Sequence, residues 1–129
     1  MTSDTINIWH QVLKEKDVVG LDNLLADDVV FHSPVVHTPQ EGKPLTKMYL
    51  GAALQVIAND SFTYVREVID GNNAVLEFTT ELNGIIINGV DMIHWNDEGK
   101  IDDFKVMIRP LKAINMLHEM MGAMLKSMQ

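Results

Sequence analysis

Residues 85–95 read Ile85-Ile86-Ile87-Asn88-Gly89-Val90-Asp91-Met92-Ile93-His94-Trp95, followed by Asn96-Asp97-Glu98-Gly99 and then Lys100-Ile101-Asp102-Asp103-Phe104-Lys105-Val106-Met107-Ile108. Two runs rich in β-branched and aromatic residues flank a four-residue turn signal, so the spacing predicts two hairpin-linked strands over 85–95 and 100–108. Side chains alternate across a strand. Asp91, Ile93 and Trp95 therefore share one face, and Val90, Met92 and His94 the other. Asn88-Gly89 falls inside the first run and marks a bulge or an additional turn.

Working upstream, the same composition predicts strands over 62–69 and 74–82, joined by a tight turn at 70–73. Asn83-Gly84 then turns the chain into 85–95. Before the strands, Met48, Leu50, Ala52, Leu54, Val56 and Ile57 form a broad apolar band, predicting a helix over 45–59. Residues 35–43, with Pro39 and Gly42, read as a loop. Residues 29–32 read as a short strand closed by Ser33-Pro34, because proline cannot donate to a ladder. Ile6, Trp9, Val12 and Leu13 predict a first helix with Asp4 as its cap. A second helix is expected over 19–25 and ends at Ala26-Asp27-Asp28. Pro110 suits the first turn of a last helix lined by Ala113, Ile114, Leu117, Met120, Met121, Met124 and Leu125. This Met-rich face either covers an open end of the domain or contacts another subunit. The order implies an α+β fold, an antiparallel sheet with helices on one face.

The chain has 129 residues, which suits one domain over 1–129. Ten basic against 18 acidic residues give a net charge of −8, which opposes binding to nucleic acid or to anionic membranes. There is no cysteine, which removes disulfides, thiol chemistry and thiolate metal sites. No apolar run is long enough for a membrane span. Residues 1–7 are polar and lack a secretory signal's greasy core, so a soluble, cytoplasmic protein is expected.

Asp91 is the first candidate for chemistry. Burial beside Ile93 and Trp95 would raise its pKa and make it a neutral hydrogen-bond donor or general acid. The competing reading is a rim carboxylate paired with an arginine. His32 and His37 flank Ser33-Pro34 and are candidate bases. Only one of Phe31 and His32 can point inward; if Phe31 does, so does Ser33, and His32 faces out. Arg109 either meets a ligand at the pocket mouth or makes a surface salt bridge. A metal site is not expected, because the histidines lack ligand spacing and His118-Glu119 has no partner histidine. No glycine-rich phosphate loop or nucleophile elbow is present, so no cofactor is expected. Trp9, Phe31, Tyr49, Phe62, Tyr64, Phe78, Trp95 and Phe104 read as core or pocket lining.

Residues 17–28, Val30-Phe31-His32-Ser33-Pro34-Val35, Gly42, residues 89–101 and Val106-Met107-Ile108-Arg109-Pro110 together resemble the nuclear transport factor 2-like superfamily, especially SnoaL-like proteins and ketosteroid isomerase. The resemblance covers most of residues 5–110. It implies a cone-shaped, cystatin-like fold, with a curved antiparallel sheet packed against N-terminal helices and a C-terminal helix. It also implies a deep apolar pocket and a homodimer packed through the outer sheet face. Ketosteroid isomerase has a carboxylate base where this chain has Ser33, a tyrosine where it has Trp9, and an aspartic acid where it keeps Asp91. Serine is no match for a carboxylate base, and an indole offers only an N–H. The isomerase mechanism is thus not carried over whole; the candidate catalytic residues are Asp91, Trp9 and Ser33 at the matching positions, with His32 from its own chemistry, in a pocket lined by Phe31, Tyr49, Phe62, Phe78, Ile93, Trp95, Phe104 and Arg109. The expected partner is a small apolar molecule, the expected activity that of an isomerase, cyclase or hydrolase. The alternatives are a non-catalytic ligand-binding or structural dimer, or an interaction module using the Met-rich helix.

Overall fold

The structure is a computed structural model and describes residues 2–127. Helix α1 (Thr2–Glu15) starts upstream of Asp4, which sits in its first turn, not at its cap, where a carboxylate still suits the helix dipole. Lys16, at φ 52°, ends the helix in a left-handed turn. Asp17 then caps α2 (Val18–Leu24), its side chain accepting a hydrogen bond from the Gly20 backbone N–H. A Cβ at Gly20 would stand 2.6 Å from an Asp17 carboxylate oxygen, so the glycine makes room for the cap.

Strand β1 (Leu25–His32) begins earlier than its sequence predicts, absorbing the expected break at 26–28. Leu25, Ala26 and Val29 are buried while Asp27 and Asp28 are exposed, because a register shift between Leu25 and Val30 lets the acidic pair bulge outward. The expected loop contains β2 (Gln40–Glu41), a two-residue edge paired to β1. Helix α3 (Lys43–Ile57) has Pro44 in its first turn. Then come β3 (Thr63–Asp70), β4 (Asn73–Leu82), β5 (Ile85–Trp95), β6 (Ile101–Arg109) and α4 (Leu111–Ser127).

The strands form one sheet in the order β2-β1-β6-β5-β4-β3. Neighbours from β6 to β3 are antiparallel hairpins, but β1 lies parallel to β6, with Phe31 opposite Phe104. This corrects two expectations. The sheet is mixed, not antiparallel, because β1 reaches its partner through the whole intervening chain, not through a hairpin. It is also not closed or strongly curled: β2 and β3 are its two open edges, so the cone-shaped sheet is not observed.

All the helices cover one sheet face. On β5, Ile87, Gly89, Asp91, Ile93 and Trp95 are buried, and on β4 Ala74, Leu76, Phe78 and Thr80. The core joins Ile93, Trp95 and Leu76 to Ile6, Trp9 and Val12 of α1, Leu21 and Leu24 of α2, and Leu50 and Leu54 of α3. A second cluster joins Phe78 and Ile87 to Val56 of α3 and to Ala113 and Leu117 of α4. The Met-rich face of α4 is thus spent largely within the chain, with Met116, Met120, Met121 and Met124 packed around that cluster.

The expected bulge at Asn88-Gly89 does not form. Pairing with β4 runs through Asn88↔Thr79 and Gly89↔Phe78 without a shift. The glycine has a packing reason instead: a Cβ there would lie 2.4 Å from Phe78 Cζ and 2.8 Å from Ile108 Cδ1. The outer sheet face carries exposed Val65, Val68, Ile86, Met92 and Met107.

Candidate functional site

A cavity of about 290 Å³ lies between the helices and the inner sheet face. Trp9 and Leu13 of α1 and Tyr49, Leu50, Ala53, Leu54 and Ile57 of α3 form one side. Phe31 of β1 and Phe104, Val106 and Ile108 of β6 form the floor, with Phe62 before β3. The segment Ser33-Pro34-Val35-Val36 and the α4 residues Leu117, His118, Met121, Gly122 and Leu125 complete it. The walls are nearly all apolar, as ligand pockets commonly are, with few polar groups to fix orientation.

Asp91 is one of those polar groups. It lines the cavity and is only 6% exposed. Its place follows from strand alternation, with Gly89 and Ile93 as its same-face neighbours. Tyr64 of β3 donates its O–H to Asp91 Oδ2 at 2.6 Å. The Tyr64 oxygen in turn accepts the Trp9 Nε1–H at 2.8 Å. Three elements thus meet in one hydrogen-bonded chain, Trp9 to Tyr64 to Asp91. Edge-on contacts hold it: Trp9 on Phe104 at 5.0 Å and Tyr64 on Phe62 at 5.1 Å.

Burial pushes the Asp91 carboxyl up from 3.8 to about 7, and the Tyr64 hydrogen bond pulls the other way. Among the described residues no cation is paired with it; a buried carboxyl without a counter-ion keeps its proton to higher pH. Burial, and next the Asp91 charge, push the Tyr64 hydroxyl well above 10.0, so Tyr64 remains a donor.

The other candidates divide. Ser33 lines the cavity, and its Oγ accepts the Val35 backbone N–H at 3.1 Å, which shapes the turn over Pro34. Phe31 is buried and faces in; His32 is thereby turned away and meets Asp103 at 2.9 Å, outside the cavity. His37 is exposed on the loop and does not line the cavity. Phe31, Tyr49, Phe62 and Phe104 line it, whereas Phe78, Ile93 and Trp95 are buried in the core beyond its wall. Arg109 is exposed and donates from Nε to Asn88 Oδ1 at 2.9 Å, a structural role away from Asp91. Among the described residues, no cluster of three or more His, Asp or Glu side chains is arranged to hold a metal ion. No helix among them is long and apolar enough to cross a membrane.

Two residues of the site have no chemical role assigned to them from sequence: Tyr64 reads only as core or pocket lining, and His118 only as a histidine without metal-ligand spacing. Tyr64 gives no local signal, because its partners come from other elements. His118 does give one: it stands three, four and seven residues before Met121, Gly122 and Leu125, on one helical stripe.

The SnoaL-like domain family matches residues 7–104. A steroid delta-isomerase from Pseudomonas aeruginosa is 39% identical, with 98% of this chain and 92% of that chain covered and a TM-score of 0.91. A protein from Silicibacter pomeroyi with a cystatin-like fold, conserved in bacteria, is 33% identical over 92% of this chain and 83% of that chain, with a TM-score of 0.85. An NTF2-like protein from Mesorhizobium loti, at 16% identity, covers 84% of this chain and 91% of its own, and its TM-score of 0.73 speaks to the fold alone. No curated protein matches the chain.

Proposed function

The chain belongs to the SnoaL-like family of the NTF2-like superfamily, and from that premise we propose that its pocket holds a small, mainly apolar molecule by one oxygen atom and stabilises negative charge that develops there. The observation that carries this reading is the Trp9–Tyr64–Asp91 chain ending in an apolar cavity. Below about pH 7 Asp91 is a neutral acid. Tyr64 already satisfies Oδ2, so the carboxyl's own proton can go to a pocket occupant. A donor preorganised in a dry site acts on charge far more strongly than one in water. The similarity to a steroid delta-isomerase supports a ketone as the substrate class and enolisation as the reaction type.

The oxygen-binding role is tested with 2-naphthol, whose phenol oxygen stands in for an enol. We expect binding, followed by fluorescence, that weakens about 10-fold or more in Asp91→Leu, the loss of one strong hydrogen bond. Equal affinity of the two proteins refutes the role of Asp91.

Ser33 favours a second reading. It offers no carboxylate to take up a proton, so the pocket would bind without catalysing. In that case 2-naphthol binds, but no ketone exchanges its α-protons with solvent. The exposed apolar outer face of the sheet supports a homodimer in either reading. Sedimentation of the protein and of Met107→Lys tests it; an unchanged monomeric mass in both would refute it.

A further inference from the structure

We propose that His118 is the proton-transferring base of this pocket, acting from α4 in place of the carboxylate that Ser33 does not supply. The inference rests on the enolisation reading above and names the residue that would make it work. Proton abstraction next to a carbonyl needs an acceptor that is not already the oxygen's donor. Among the cavity's lining residues, Asp91 is committed to the oxygen, and Tyr49 and Ser33 offer hydroxyls, which are poor acceptors near neutral pH. His118 is the lining group whose type suits the task.

Its surroundings set it apart from the other histidines. His10, His32 and His94 are each held by a carboxylate, from Glu67, Asp103 and Asp102 respectively. His37 lies outside the cavity. Among the described residues, His118 has neither a hydrogen-bond nor an ion-pair partner, so its ring nitrogens are not engaged. It shares its stripe with Leu117, Met121 and Leu125, which face the cavity with it. Gly122, one turn on, also lines the cavity, and a Cβ there would meet nothing within 4 Å. The absence of a side chain at Gly122 therefore leaves the cavity open one turn from the imidazole, where an occupant can approach it. His118 is itself exposed, so it stands at the mouth, in reach of solvent.

The step balances without a co-reactant. A His118 ring nitrogen takes the proton from the carbon next to the carbonyl. The C–H pair becomes the enol double bond, and the carbonyl π pair moves to the oxygen, which Asp91 holds by its hydrogen bond. The imidazolium, exchanging its N–H with solvent at the mouth, then delivers a proton to the far end of the conjugated system, and the pair on oxygen re-forms the carbonyl. The product is the conjugated isomer, and nothing is oxidised or reduced.

The probe is cyclohex-3-en-1-one, a β,γ-unsaturated ketone, followed by conversion to its conjugated isomer and by deuterium uptake from heavy water. Expected is turnover by the wild type that falls about 100-fold or more in His118→Ala, within the range for losing a general base. Affinity for 2-naphthol should be unchanged, and added imidazole should restore turnover in His118→Ala. Glu119→Gln, an exposed neighbour outside the cavity, should behave as wild type. Full turnover by His118→Ala overturns the inference and leaves the enolisation reading standing. Asp91-dependent 2-naphthol binding with no turnover by the wild type overturns the inference and leaves binding alone. Absence of Asp91-dependent binding overturns both. A loss in His118→Ala that imidazole does not rescue, with weakened 2-naphthol binding, assigns His118 to packing and also overturns it.

Discussion

Replacing Asp91 by Asn should make the protein more stable than the wild type at alkaline pH, by a difference that grows as pH rises to about 7 and then levels off. The carboxyl ionises at about 7 in the fold against 3.8 ordinarily. Between those values the folded chain binds more protons at this position than the unfolded chain does. Wild-type stability therefore falls as pH rises through the interval, and the penalty is complete above about pH 7. The gap corresponds to about 4 kcal/mol of opposition to folding. Asparagine does not titrate, and its amide oxygen can still accept the Tyr64 hydroxyl. All other groups are common to both proteins, so subtracting one pH profile from the other isolates residue 91. Urea unfolding of both at about pH 5 and about pH 8 is the assay. The wild type should lose about 2.5 kcal/mol relative to Asp91→Asn between those conditions, because part of the penalty is already present at the lower one. Parallel profiles would mean that Asp91 titrates like a solvated carboxylate. A wild type that gains on the variant with rising pH would mean a stabilised anion, and the neutral-donor chemistry would fall with it.

Tyr64→Phe removes the one hydrogen bond that pulls the Asp91 pKa down, so the carboxyl should titrate above about 7 in a carbon-13 NMR titration; no upward movement refutes the linkage. The same variant leaves the buried Trp9 N–H without its acceptor, at a cost of about 1–3 kcal/mol in urea unfolding. Gly89→Ala should destabilise by about 1–3 kcal/mol, since its Cβ would lie 2.4 Å from the fully buried Phe78 ring; wild-type stability would show that the ring yields freely. Asp17→Ala should cost about 1 kcal/mol by leaving the Gly20 N–H uncapped, and an unchanged melting curve would rule out the cap as a contributor.

Much of this architecture is written locally. Residues 85–95 alternate so regularly that both the bounds of β5 and the inward face of Asp91 agree with the structure. What is not local is not legible. Residues 25–28 carry a helix-like leucine spacing on one side and two aspartates on the other, and only pairing with β6 makes them a strand. The two residues of β2 are too few to show any period. The parallel pairing of β1 with β6 needs knowledge of the whole chain path, and a resemblance at the level of family brought with it a sheet shape that this sheet does not have. Tyr64 finds Asp91 across 27 positions and Trp9 across 55, so no spacing rule links them. His118 differs: its stripe with Leu117, Met121 and Leu125 is visible in the sequence, but the lack of a partner histidine speaks only to a metal site and not to the cavity.

The parallel seam between β1 and β6 also sets a timetable. A nascent chain presents β1 early, yet the strand that completes it is the last of the sheet to be made. Until then Val29 and Phe31 have no floor beside them, and the edge of β1 is open to any other strand. Closing so long a loop is slow, and exposed strand edges in that interval invite association with other chains. The cavity comes later still, because Leu117, His118, Met121 and Leu125 arrive with α4. A molecule bound there, as proposed above, would stabilise only the finished protein and not guide its assembly, and a chain halted before Ile101 would lack the cavity and leave the edge of β1 open.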